Sequence, residues 1–141
     1  MSESPRRLAR ELVLQALYAS EFGNDSPEEA LKRLLEAENL NEKNAVFARH
    51  LYAQVLKRGE WADSQIQRLA QNWDIRRIAA IDRVVLRMAL IELEEAPDVP
   101  VKVILNEAIE LAKKFSTKES SAFVNGILDT FVKEAGPTST S

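Results

Sequence analysis

Residues 77–94 read Arg-Ile-Ala-Ala-Ile-Asp-Arg-Val-Val-Leu-Arg-Met-Ala-Leu-Ile-Glu-Leu-Glu. At 100° per residue, Ile78, Ile81, Val84, Val85, Leu86, Met88, Ala89, Ile91 and Leu93 cover most of the circumference of one helix. A helix that is apolar nearly all round belongs at the centre of a larger assembly, with other helices covering it. Pro97 and Pro100 break it, because proline lacks a backbone donor and pushes the residue before it out of helical space.

Working outward, apolar residues keep a helical period on both sides of this segment. Downstream, helices are predicted from about Lys102 to Phe115 and from about Ser120 to Ala135. Within the latter, Asn125-Gly126 resembles a hairpin turn, but Phe123, Val124, Ile127, Leu128, Phe131 and Val132 hold the helical period across it. A mid-helix glycine costs about 1 kcal/mol relative to alanine, which close approach of a neighbouring helix would explain at Gly126. Upstream, Trp61 to Gln71 is a short helix with Trp61, Ile66 and Leu69 apolar, and Trp73 anchors the junction. The first helix runs from about Pro5 to Phe22 with Ser4 as its cap, burying Leu8, Ala9, Leu12, Val13, Ala16 and Ala19. Ser26-Pro27-Glu28-Glu29 opens a second, which buries Leu31, Leu34 and Leu35 and stops near Asn39. The third, from about Glu42 to Arg58, buries Ala45, Ala48, Leu51, Tyr52 and Val55 and ends on Gly59. The expectation is an all-α single domain over 1–141 of about seven helices. A three-helix N-terminal subdomain (about 5–59) packs on a four-helix C-terminal one (about 60–135), and 136–141 form a flexible tail.

Composition narrows the chemistry. Hydrophobic residues make up 45% and charged residues 29%, so the chain can bury a core. Without cysteine it has no disulfide and no thiolate metal site, which fits a reducing cytoplasm. No apolar run reaches 18 residues and no apolar segment follows the N-terminal arginines, so neither membrane insertion nor secretion is expected. His50 is the only imidazole, too few for a metal site or a nucleophile–base pair beyond itself. The four glycines are scattered, so there is no phosphate loop. Carboxylates pair with lysines along helix faces, as Glu110 does with Lys113 and Lys114. No catalytic residue, cofactor or metal is expected, and nothing argues for an enzyme.

Two surfaces stand out instead. The chain carries a net charge of −3, yet residues 1–11 hold Arg6, Arg7 and Arg10 against Glu3 and Glu11. Arginines at a helix start oppose the macrodipole at about 0.3–1 kcal/mol each, which points to a docked polyanion there. On the same helix Arg7, Glu11, Leu14 and Tyr18 lie opposite the apolar stripe. Leu14 and Tyr18 therefore face either a partner, a second copy or another helix of the chain. The second surface is Phe115-Ser116-Thr117-Lys118-Glu119-Ser120-Ser121, preceded by Lys113-Lys114 and followed by Phe123. Cations for phosphates and rings for bases suit single-stranded RNA. The same phenylalanines also fit the core periods of their helices, and Ser120 fits a helix cap.

Ile81-Asp82-Arg83-Val84-Val85-Leu86-Arg87-Met88-Ala89, Val103-Ile104-Leu105-Asn106-Glu107-Ala108-Ile109-Glu110-Leu111-Ala112-Lys113 and Phe123-Val124-Asn125-Gly126-Ile127-Leu128-Asp129 resemble the NusB transcription antitermination family. Arg6-Arg7, Ala9-Arg10 and Gln15-Ala16-Leu17-Tyr18 extend the likeness to the N-terminus. The resemblance implies an all-helical factor that binds boxA single-stranded RNA with ribosomal protein NusE. The pair joins an antitermination complex on RNA polymerase, notably in ribosomal RNA operons. It implies RNA contacts at Arg6, Arg7, Arg10, Phe115, Glu119 and Phe123; Lys118 and Ser120 join them from the reading of the loop. Tyr18 and Asp82 fall at NusE-facing positions. Some members carry glutamate in place of Asp82 and acidic residues in place of Arg76. Two other readings fit the residues: the RNA-binding domain of an rRNA methyltransferase-like protein, and a homodimeric adaptor that does not bind RNA directly.

Overall fold

The computed structural model describes residues 5–23, 26–71 and 77–135; Ser4, Trp73, Arg76 and the 136–141 tail lie outside them. The described residues form seven helices: α1 Pro5–Phe22, α2 Pro27–Glu38, α3 Glu42–Lys57, α4 Gly59–Ala70, α5 Ala80–Glu95, α6 Val101–Phe115 and α7 Lys118–Ala135. No strand occurs among them. The apolar helix is central, as its circumference predicts. α5 packs against α1, α3, α4, α6 and α7, and Val84, Val85, Leu86 and Leu90 are wholly buried. α1 lies on α2 and α3, while α7 lies on α6 and α4. One hydrophobic cluster runs through all seven helices. No helix among the described residues is long and apolar enough to cross a membrane.

Local signals set several helix ends. Ser26 Oγ accepts the Glu29 N–H at 3.3 Å, and Asn39 closes α2 in the left-handed region (φ 53°), donating its N–H to Leu35 O. Asn41 Oδ1 accepts the Asn44 N–H at 2.9 Å; caps of this kind contribute about 1 kcal/mol each. Gly59 departs from expectation because it starts α4 and ends nothing. Arg58 is the joint (φ −112°, ψ 21°); its N–H goes to Gln54 O and its carbonyl accepts from Ala62, so α3 runs almost directly into α4. The Arg58 guanidinium caps the joint from outside, 4.3 Å over the Trp61 ring and 3.0 Å from Glu95.

α7 begins at Lys118, earlier than the sequence suggested, because Thr117 Oγ1 and not Ser120 supplies the cap, accepting the Ser120 N–H at 3.0 Å. Gly126 is a second departure. It is exposed, and a Cβ built on it would meet nothing within 4 Å, so no helix among the described residues approaches it. Gly126→Ala is therefore expected to stabilise the free protein by about 1 kcal/mol, raising the thermal midpoint by roughly 3 °C. A calorimetric scan checks this, and a lowered midpoint would contradict it.

Candidate nucleic-acid and partner interface

The α1 arginines are built into the fold to different depths. Arg6 donates from Nε to Asn44 Oδ1 at 2.8 Å, and its guanidinium lies 4.1 Å from the centre of the Phe47 ring. Burial, with Arg10 beside it, holds its pKa below the ordinary arginine value, while Glu92 pulls the other way. Arg7 forks onto Glu107 of α6 at 3.0 and 2.7 Å. Arg10 is internal: it forks onto Glu92 of α5 at 2.8 and 2.7 Å, with the two side chains 4% and 5% exposed. The expected row of three arginines open to a polyanion is thus reduced to Arg6 and Arg7, since a guanidinium this deep survives only when matched by a carboxylate.

Two neighbours on α1 also turn inward. Leu14 is buried in the core, so of the two residues left without a core, Tyr18 alone is exposed. Glu11 is buried too and accepts from Lys114 Nζ at 2.9 and 3.0 Å. Lys114 thereby reaches across to α1, and Lys113 lies near Glu110, at 3.7 Å. One turn beyond Tyr18, Glu21 accepts from Arg83 at 3.1 Å and Arg87 at 3.2 Å. Arg87 also forks onto Asp63 of α4. Burial works against its charge, but the Asp63 and Glu21 carboxylates outweigh it and raise its pKa. These bonds pin the C-terminal half of α1 beside the first turns of α5, where Asp82 sits.

Asp82, Glu119, Ser120 and Phe123 meet in one surface cavity of about 330 Å³, completed by Arg77, Ile78 and Ala79. Sequence reasoning had placed Asp82 on one surface and the other three on another; the packing of α7 against α5 unites them. Asp82 is buried, and its Oδ1 has no hydrogen-bond partner among the described residues. Phe123 is half-buried, backed by the core, so its ring is both packed and reachable. Ser120 Oγ is tied to the hydroxyls of Ser116 and Thr117. Lys118 is exposed at the start of α7. Phe115 packs on the core with Lys114 Nζ 5.7 Å from its ring centre; neither Phe115 nor Lys118 lines the cavity. His50 is exposed on α3, and no group of potential metal ligands occurs among the described residues. Arg77 was missed by the sequence reading, as were the carboxylates Glu92 and Glu107. No local spacing marks partners 82 and 100 residues away from their arginines.

A model of the NusB family matches residues 7–133, which includes nearly every residue just described. The chain belongs to the NusB family. The NusB transcription antitermination protein of Salinibacter ruber is 48% identical over 128 residues, covering 89% of this chain and 79% of the relative. NusB of T. maritima superposes with a TM-score of 0.87 at 36% identity, covering 97% of this chain and 96% of that one. A NusB crystallised with NusE and double-stranded RNA superposes with a TM-score of 0.83 at 25% identity, covering 92% and 97%. NusB proteins are transcription antitermination factors, not enzymes.

Proposed function

We propose that this NusB-family chain binds boxA-type single-stranded RNA together with ribosomal protein NusE. It acts in the cytoplasm within the RNA polymerase antitermination complex, suppressing termination in ribosomal RNA operons. The observation that carries this is the shared cavity: Phe123, Glu119 and Ser120, assigned to RNA, line it with Asp82, assigned to the partner. A NusB of the same fold has been crystallised with NusE and RNA together. Phe123 offers a ring for base stacking, a contact worth about 1–3 kcal/mol per base. Arg6 and Arg7 meet phosphates, Lys118 adds charge at the loop, Phe115 supports it from the core, and Arg10 orients α1 from beneath. Tyr18 and Asp82 face NusE, whose donor satisfies Asp82 Oδ1.

Titration of labelled boxA RNA with and without NusE tests the reading. The RNA should bind in a salt-sensitive manner, tighter with NusE present. Tyr18→Ala should weaken capture of NusE at least tenfold, as loss of an exposed aromatic anchor does. RNA affinity that ignores both salt and NusE would overturn the proposal.

A further inference from the structure

Lys114 immediately precedes the α6–α7 loop and stands between it and the arginine segment. A notch of about 60 Å³ between α1 and α6 is lined by Arg7, Lys114, Glu11, Glu107, Glu110 and Leu111. In each of its two cross-helix ion pairs the cation is the more exposed member. Arg7 and Lys114 have side chains 37% and 50% exposed, whereas their carboxylate partners Glu107 and Glu11 are 14% and 6% exposed. Glu110, the remaining acid, is 49% exposed at the rim, where it lies 3.7 Å from Lys113. A polyanion approaching this face meets two cations from different helices, Lys114 braced from behind by the buried Glu11 and Arg7 by the less exposed Glu107. Bracing removes rotamer freedom that a surface lysine would otherwise lose on binding.

We infer that Arg7 and Lys114 form a two-helix clamp for a single phosphodiester of the bound RNA, linking the arginine segment to the Phe123 cavity. The clamp rests on the RNA-binding reading above. It makes Lys114 a phosphate contact and gives Glu11 and Glu107 the part of positioning residues.

The test measures boxA RNA affinity as a function of salt for variants of the full chain. Lys114→Gln should weaken binding about threefold to tenfold near 0.1 M salt and make the log–log slope shallower by about 0.7, one single-strand phosphate contact. Lys113→Gln, one residue away, should leave the slope unchanged, and Lys114→Arg should preserve it. Because Lys114→Gln alone strands the Glu11 carboxylate, Glu11→Gln/Lys114→Gln serves as a charge-balanced second variant and should lose the same slope. An unchanged slope in the single and double variants, or an equal loss for Lys113→Gln, overturns the clamp while leaving RNA binding intact. Wild-type protein that does not bind the RNA at all overturns the underlying reading as well.

Discussion

Glu92→Ala is expected to cost the fold about 3–5 kcal/mol, the usual penalty for removing one member of a buried ion pair. Glu92 receives both arms of the Arg10 fork. The pair is surrounded by Val85, Met88, Ala89, Ile104 and Leu111. Without the carboxylate the guanidinium is stranded among these apolar groups. Glu107 is a poor substitute, 4.0 Å from Arg10 Nη1 and already gripped by Arg7. Urea denaturation gives the loss directly; a change under about 1 kcal/mol would mean that the site relaxes or admits water. The double variant Arg10→Met/Glu92→Leu should recover most of the stability, since apolar residues of similar volume commonly replace a buried pair at little cost. It should also retain the salt dependence of RNA binding, because Arg10 contributes no exposed charge. A shallower slope in that variant would restore Arg10 as a phosphate contact.

Asp82→Ala separates folding from binding in the opposite way. NusE affinity should fall by about 2–5 kcal/mol, as when one partner of a desolvated charge pair is truncated at an interface. The stability of the free protein should move by less than about 1 kcal/mol. In the first turn of α5 the carboxylate gains about 0.3–1 kcal/mol from the helix dipole. Against that stands the penalty of burying Oδ1 without a donor, of similar or larger size. Paired denaturation and calorimetric binding measurements check both halves. A loss of stability above about 2 kcal/mol would make Asp82 a structural residue and its effect on the partner indirect.

The helices were legible because their ends and faces are local properties. Ser26, Asn39 and the prolines after α5 each act within a turn, and the apolar period of residues 77–94 states its own burial. The misreadings came from contacts that are distant in sequence. A helical wheel turns Arg10 and Glu11 outward because it treats charge as a mark of solvent, and Leu14 with them because it lies opposite the apolar stripe; here α5 and α6 bring Glu92 and Lys114 to meet the charged pair. Gly59 and Gly126 misled for the converse reason: the sequence supplied a structural role for each glycine that the surrounding space does not require. Of the residues lining the cavity, Asp82, Glu119, Ser120 and Phe123 were each singled out in the sequence. Their union was not legible, since the cavity exists only once α7 is laid against α5.

α1 is unbroken from Pro5 to Phe22, with Arg7 toward one end and Tyr18 toward the other. Eleven residues at 1.5 Å each set these two positions about 16 Å apart along the axis. The helix thus acts as a ruler. Glu107 at one end and the bonds of Glu21 to α5 at the other hold it fixed at both marks. A nucleic acid seated at one mark and a protein at the other would meet at a predetermined separation, with no hinge between them to absorb a misfit. One residue inserted in the middle of α1 would turn the marks about 100° out of phase while leaving the chemistry of each end intact.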